Sequence, residues 1–426
     1  MSIKGKSVMT NWQHGFYKLT PAERRQLLEQ AHLLSADDQR LLADHSSLLG
    51  DQLVENYLSD YALPEGVALG LTVNGHNYVL PMVVEEPSVI AAASNGAQRV
   101  AKSGGFTAPQ QQRALVGQVV INGDHDTTVE WLLAHRQEIL TIANAAHPSM
   151  QKRGGGAENI RVRKLPGFIS LDLIINVCQA MGANTVNTMS EAVAHWLIQN
   201  GHDVLTAILS NLATDSLQTV SCNVAPQYLA TNQFSGDQVA KRIEQLSMLA
   251  QVDPYRATTN NKGIMNGVDA ALIASGNDWR AIESGAHAYA CHSGQYQGLS
   301  QWRYDGHHLH GKLTLPMPVG VVGGSIGLNR LTKVNYHLSQ IHSAEELAAV
   351  ITSLGLAQNL AALRALATSG IQAGHMKLQY RSLAISVGAT TDEVGTLVKR
   401  LTQLPKVDRQ TAQDELLKMR EDRDNG

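Results

Sequence analysis

Phenylalanine is nearly missing from this chain, with four in 426 residues, and aromatic residues of all kinds make up only 5%. The core must therefore be built mostly from Ala, Leu, Val and Ile. Cysteine is scarce as well. Cys178, Cys222 and Cys291 stand far apart with no C-x-x-C, which offers no zinc ligand set and fits a reducing compartment. Cys291-His292 invites a thiol-nucleophile reading, against which a small packed thiol is the simpler account. There is no long basic run, and the net charge is -3, so nucleic acid is excluded as a main partner. Met1-Ser2-Ile3-Lys4-Gly5-Lys6 has no apolar stretch after its lysines, and no signal peptide is expected. No run approaches the roughly 18 apolar residues of a membrane span, so a cytoplasmic protein without membrane attachment is expected. A G-x-G-x-x-G fingerprint, internal repeats and low-complexity segments are also lacking.

What is present is length enough for two or three domains, with 43% hydrophobic and 17% charged residues, the balance of a soluble globular chain. Thr20-Pro21-Ala22-Glu23 is a capping box with proline at the first helical position, predicting a helix to about His32, and Ser35-Ala36-Asp37-Asp38 opens a second. This arm is expected to be polar on its outer faces. Val67 to Val73 and His76 to Val84 flank Asn74-Gly75, the strongest short hairpin signal. The chain then passes Glu85-Glu86-Pro87-Ser88 into a helix ending near Gly104-Gly105. There a carboxylate either simply suits the helix start or faces inward, as one of the two glutamates should.

From about 112 to 211, strands (Leu115 to Ile121, Phe168 to Val177, Asp203 to Leu209) alternate with helices (Val129 to Ala146, Val186 to Gln199), which reads as a separate α/β domain. Its Met181-Gly182-Ala183-Asn184 turn follows a strand and precedes a helix, where backbone amides can cradle a pyrophosphate. Further helices are predicted over Gly236 to Gln251, Ile264 to Ser275 and Trp279 to Ala290, a hairpin around Asp305-Gly306, and a capped helix from Ser343-Ala344-Glu345-Glu346. Past 372 the chain reads as short helices with polar linkers, a candidate lid.

The stretch Thr258 to Asp269 carries three asparagines and Lys262 between apolar flanks. A lysine held there, partly desolvated among amide dipoles, is prepared to meet developing negative charge; a solvated loop is the competing reading. Other patterns carry less. Gly323-Gly324-Ser325-Ile326-Gly327 matches G-x-S-x-G, but no distinctive acid accompanies His375. Gly306-His307-His308-Leu309-His310-Gly311-Lys312 lacks the Ser or Thr of a phosphate loop and is framed like a hairpin. These histidines and Asp124-His125-Asp126 read as solvated loop residues rather than a metal site.

Taken together, Glu86-Pro87-Ser88 with Ala91-Ala92-Ala93-Ser94, Ala180-Met181-Gly182-Ala183-Asn184, Asp253-Pro254-Tyr255-Arg256, Asn261 to Gly267, Gly276-Asn277-Asp278, Gly285-Ala286-His287-Ala288-Tyr289-Ala290 and Gly374-His375-Met376 carry a specific likeness. The chain resembles the 3-hydroxy-3-methylglutaryl-CoA reductases of the soluble prokaryotic type, class II, from about Glu55-Asn56 to Ala384. The resemblance implies an α+β multidomain fold. A large, mostly helical substrate-binding domain (1–111 and 212–371) would hold an inserted small α/β nucleotide-binding domain without a standard Rossmann fingerprint (112–211), followed by a mobile C-terminal helical flap (372–426). It implies a catalytic quartet of Glu86, Lys262, Asp278 and His375, and substrate contacts by Ser88, Arg256, Asn211 and Asn266. Cofactor contacts are implied for Met181, Gly182, Ala183, Asn184, Gly323 and Gly324, and a homodimer or assembly of dimers with sites at the interface. Two departures fall near the expected cofactor: Gln179 stands for the family's usual aspartate, and Ser325 where a threonine is usual.

The implied reaction reduces the thioester to mevalonate and free CoA with two hydrides, by way of a hemithioacetal and an aldehyde, for isoprenoid synthesis. Lys262 would meet each oxyanion, Asp278 would hydrogen-bond that lysine, Glu86 would hold a proton at the aldehyde stage, and His375 would protonate the CoA thiolate. His147, Lys152 and Arg153 at the nucleotide edge, with no carboxylate, favour NADPH over NADH. The same enzyme run oxidatively on mevalonate, a CoA-thioester hydrolase using Ser325, and a non-catalytic CoA- or nucleotide-binding protein are the rival readings.

Overall fold

The computed structural model describes residues 12–110, 113–324, 326–368, 380–404 and 406–424. It falls into two compact units, Met1–Pro64 and Glu65–Gly426.

In the first unit both predicted capping boxes form, at Thr20 and Ser35, opening α1 (Pro21–Gln30) and α2 (Ala36–Asp44), with a short α3 (Leu48–Leu53) after them. Among the described residues of this unit the buried side chains are Tyr57 and two arginines. Arg24 and Arg25 are buried, and their guanidinium groups donate to the carbonyls of Tyr57 and Leu58. The outer faces of α1 and α2 are mostly polar, with Glu23, Gln26, Asp37, Asp38 and Arg40 exposed, while beyond them Leu48 is 91% and Tyr61 92% exposed.

The second unit opens with the Asn74-Gly75 hairpin, β1 (Glu65–Val73) paired with β2 (His76–Val83). Positive φ at both turn residues, 50° and 82°, gives the strands the twist they need. α4 (Val89–Ala101) and β3 (Phe106–Thr107) follow.

Between 115 and 210 lie β4 (Leu115–Asn122), α5 (Asp126–Ala134), α6 (Arg136–Ala146), α7 (Pro148–Gln151), β5 (Gly156–Leu165), β6 (Phe168–Asn176), α8 (Ala183–Gln199) and β7 (Val204–Ser210). The strands form one sheet, ordered β5-β6-β4-β7 and antiparallel throughout. Ile169, Leu171, Leu173 and Ile175 of β6 point into a core shared with α6 and α8. β5 is the strand of this sheet not predicted from the sequence, although Ile160 and Val162 alternate with Arg161 and Arg163 as a half-buried strand should; the two arginines pair with buried Asp172.

Beyond it come β8 (Leu217–Val224), α9 (Gly236–Val252), α10 (Pro254–Ala274), α11 (Trp279–Tyr289), β9 (Ser300–Tyr304), β10 (Leu309–Pro316), α12 (Arg330–Ser339) and α13 (Ala344–Ala367). The strands complete a six-stranded sheet, β2-β1-β3-β8-β10-β9. This part is therefore less purely helical than expected. β8 was legible but not predicted: its buried Val220, Cys222 and Val224 alternate with Thr219, Ser221 and Asn223, the period of a half-buried strand.

α13 packs against α4 and α10 and is buried along nearly its whole length. Gly96 makes the α4 crossing possible, since a Cβ there would lie 2.0 Å from the Ala357 carbonyl oxygen. Contrary to the reading of apolar runs, α13 is long and apolar enough to cross a membrane by length and composition; its burial inside the protein marks it as a core helix. The described tail is helical over 380–386, Thr391–Leu401 and Arg409–Asp424, and carries a small core of its own around Tyr380, Leu397, Leu401 and Leu416.

Candidate active site

The stretch that held attention in the sequence is helical. α10 begins at Pro254, ten residues before the predicted start, because the Asp253 side chain accepts from the amides of Tyr255 and Arg256 and proline occupies the first turn. That signal stood in the sequence, and the polarity of the following residues masked it.

Helical geometry sends the polar residues to different faces. Asn260 and Asn261 point into the protein: Asn260 bonds Ser300 and Asn359, and Asn261 bonds the backbone of Gln297 and Leu299. They tie α10 to the approach to β9 and do not ring the lysine. Lys262 faces outward, its side chain 59% exposed, so within one chain it is not desolvated as expected. Its Nζ donates to Glu86 Oε2 at 2.8 Å. Of the two adjacent glutamates, Glu86 is the less exposed.

Three of the four predicted substrate residues belong to the segments that carry this pair: Ser88 follows Glu86 by two residues, and Arg256 and Asn266 share α10 with Lys262. Ser88 is the N-cap of α4 in the left-handed region, with φ 77° and no capping bond from its side chain. Its Oγ is buried without a hydrogen-bond partner, and so is Nε of Arg256. A non-glycine residue in that conformation costs about 1–2 kcal/mol, a strain typical of ligand-binding positions. Burial draws the Arg256 guanidinium below its ordinary range, with Asp253 opposing the shift. Asn266, partly buried, lies one helical turn beyond Lys262.

Asp278 is elsewhere. It caps α11, accepting from Ala281 N at 3.1 Å, with Arg280 at 3.6 Å. It lies past the far end of α10, about 18 Å of helical rise from Lys262. Among the described residues no ion pair joins it to Lys262, so the expected bond between them is not made within one chain. Exposed Asn211 belongs to the same end, its carbonyl packed against Gly285 of α11. His375 and Ser325 lie outside the described residues.

Asp278 lines a cleft of about 570 Å³, together with His147, Met181, Gly182, Ala183, Asn184, Gly323 and Gly324. Every cofactor residue expected from the sequence is therefore brought to one place. Gly182, with φ 90°, caps α8 without any side-chain bond, and a Cβ there would strike Val177 at 2.3 Å. The first amides of α8 are left to face the cleft, an arrangement suited to an anion. Gly323 and Gly324, with φ 82° and 55°, turn the opposite wall with open space where a Cβ would be. At the rim His147 meets Ser149 Oγ at 3.1 Å and Thr185 Oγ1 at 3.4 Å, and Arg153 donates to the Ser149 carbonyl. These residues fit a dinucleotide: open helix amides for a pyrophosphate, cations at the rim, and a volume in the range of cofactor sites.

Gln179 does not face the cleft. Its side chain accepts from Ala344 N at 2.7 Å and donates to Glu345 at 3.0 Å, at the start of α13. The departure from aspartate therefore does not alter the cleft surface directly. The Gly306 segment is a hairpin turn, as read: Asp305 accepts from the amides of His307 and His308 and meets His310. Sequence reasoning passed over Arg280, Arg113 and the Asp269–Glu283–His287 group. Only the last had a visible signal, in the Gly285 to Ala290 motif.

A family model described as hydroxymethylglutaryl-coenzyme A reductase matches residues 20–380. The 3-hydroxy-3-methylglutaryl-coenzyme A reductase of Archaeoglobus fulgidus is 39% identical, over 98% of this chain and 97% of that protein. A probable reductase of the same name from Borreliella burgdorferi is 31% identical, over 78% and 77%. The solved 3-hydroxy-3-methylglutaryl-coenzyme A reductase of Streptococcus pneumoniae shares 45% identity at a TM-score of 0.74, over 96% of this chain and all of that one. A structure of the same organism's class II enzyme, bound to NADPH in open conformations, matches at 45% and 0.74, over 94% of this chain and 100% of that one. With a family model spanning most of its length and such identity over nearly the whole chain, this protein belongs to the hydroxymethylglutaryl-coenzyme A reductase family, in its class II division.

Proposed function

We infer that this protein is a 3-hydroxy-3-methylglutaryl-CoA reductase, reducing the thioester in two steps to mevalonate and free CoA. The observation that carries the reading is the Lys262–Glu86 pair at 2.8 Å, set beside a buried, unpartnered Ser88 Oγ. A fixed cation meets each oxyanion formed at the thioester and aldehyde carbons, the largest single contribution such a site makes. Glu86 holds Lys262 in place and is the nearest group able to pass a proton to the developing alkoxide. Ser88 and Arg256 anchor the acyl part and its carboxylate, and Asn266 supplies a neutral dipole on the lysine's face of α10. His375 is assigned the protonation of the CoA thiolate.

The cleft lined by Met181 to Asn184, Gly323, Gly324 and His147 would hold NADPH, the nucleotide in the pneumococcal class II structure. That cofactor supplies hydride; the chain supplies the open N-terminus of α8 for its pyrophosphate and Arg153 and His147 for a 2′-phosphate. On this reading 112–211 is the nucleotide-binding domain, 1–111 with 212–371 the substrate domain, and 372–426 a flap that closes over the site.

Lys262 with Glu86 and Asp278 with the cleft are two halves of one machinery placed apart in the chain. The quartet is completed when a second copy supplies Asp278 to this lysine, which makes the working unit a homodimer. The exposed Leu48 and Tyr61 of the arm are surface such a partner would cover. A soluble enzyme of the cytoplasm accords with the free cysteines. The test is NADPH oxidation, followed at 340 nm, with 3-hydroxy-3-methylglutaryl-CoA as the acceptor. No thioester-dependent oxidation with either nicotinamide nucleotide would sink the assignment.

A further inference from the structure

The two turns that wall the nucleotide cleft come from distant parts of the chain. The turn at 181–184 follows β6, and the turn at 322–324 follows β10. They touch through a bridge between Ala180 and Val322 and through Val321 N, which donates to Gln179 O at 2.9 Å. Such short contacts hold the two loops together, and Asn277, which bonds both the amide and the carbonyl of Gly320, with the Tyr336 hydroxyl fastens the second loop to α10–α12.

Arg113, just before β4, is the side chain that holds both loops at once. One guanidinium nitrogen donates to Cys178 O at 2.7 Å and another to Val319 O, so a single planar group grips the chain immediately upstream of both turns. Its side chain is only 10% exposed, and its counter-charge is Glu345 at 3.6 Å, in the first turn of α13. Glu345 in turn accepts from the side-chain amide of Gln179, whose Oε1 accepts from Ala344 N. Between the two loops there is no slack: a Cβ on Gly320 would lie 2.3 Å from Met181 N.

We propose that Arg113, locked by Glu345 and Gln179, is the positioning residue that holds both walls of the nucleotide cleft in register against α13. None of the three lines the cleft, so they act through backbone and not by touching the ligand. The chemistry of the clamp also accounts for glutamine at 179. The position must donate to a carboxylate and accept from a helix amide at once, which an amide does and an aspartate does not. Lysine at 113 would be a point charge able to hold one carbonyl well but not two along a fixed fork.

The proposal rests on the reading of this cleft as a nicotinamide nucleotide site, and the experiment separates the two. Fluorescence titration of the wild-type protein with NADPH comes first; absence of binding would overturn the reading of the cleft and the clamp's role with it. Where the wild type binds, Arg113→Met is expected to raise KM for NADPH about tenfold or more, the scale of loss for a misplaced wall. KM for the thioester should stay within about twofold. Arg113→Lys should fall between the two proteins. Gln179→Glu, which keeps the size and sets a carboxylate against Glu345, should show the same split. If Arg113→Met fails to fold, Arg113→Lys and Gln179→Glu decide the matter. Equal changes in both KM values, or a lower Tm with unchanged nucleotide KM, would overturn the proposal.

Discussion

Lys262 and Glu86, 176 residues apart in the chain, meet across 2.8 Å. The pair is solvent-accessible on both sides, at 59% and 39%, so it contributes little to folding, on the order of 1 kcal/mol or less. Its value lies in where it places the ammonium. Replacing Lys262 by Ala is therefore expected to leave Tm nearly unchanged while lowering kcat by about 10³, for the thioester and for free mevaldehyde alike. Retained turnover of either substrate would remove Lys262 from the oxyanion role.

The separation of Asp278 from Lys262 gives a sharper test. If a second copy supplies Asp278, Lys262→Ala and Asp278→Ala proteins, each inactive alone, complement one another when co-refolded. In a random mixture half the dimers are mixed and each has one intact site, so roughly a quarter of wild-type activity should return. Recovery of none would place both residues in sites formed within a single chain.

Arg153 stands at the cleft rim with its guanidinium held by the Ser149 carbonyl. A charge-assisted bond to a 2′-phosphate is worth about 1.5–3 kcal/mol, so Arg153→Ala should raise KM for NADPH by roughly 10- to 100-fold. NADH, which lacks that phosphate, should lose far less. Equal losses for both nucleotides would move the 2′-phosphate contact to other residues.

What the sequence made legible follows from how local each cause is. The capping boxes at Thr20 and Ser35 and the Asn74-Gly75 turn act within a few residues, and they formed where read. The residues expected at the cofactor lie together along one cleft; the turn at Met181 to Asn184 was legible as glycine before a helix start, whereas Gly323 and Gly324 entered through the family resemblance. The antiparallel pairing of β4 to β7 was hidden, since alternation of strand and helix does not disclose strand direction. The role of Asn260 and Asn261 was misread for a related reason. An asparagine beside a lysine is indistinguishable in sequence from one turned a hundred degrees away on the same helix. Arg113 left no trace at all, because its partners are backbone carbonyls at 178 and 319.

Asp269, two turns beyond Lys262 on α10, makes stability depend on pH. Its Oδ1 and Oε2 of Glu283 are both buried without hydrogen-bond partners. Burial first, and then the neighbouring Glu283, raise the Asp269 carboxyl from 3.8 to about 7, with His287 opposing them. His287, at 3.3 Å from Glu283 and 2.6 Å from the Tyr296 hydroxyl, is raised in turn, mainly by its bond to Glu283. Below the unfolded value of 3.8 the carboxyl is protonated in both states and its contribution is complete. As pH rises toward 7 the unfolded chain releases that proton freely while the folded chain keeps it, and stability is lost across this window. Asparagine keeps the neutral form at every pH. Asp269→Asn should therefore match the wild type near pH 4 and exceed it near pH 8, by roughly 2–4 kcal/mol. Urea denaturation at both pH values, at one protein concentration, reads the difference. A substitution that lowers stability equally at both would mean that Asp269 is ionised in the folded protein and paired with a cation.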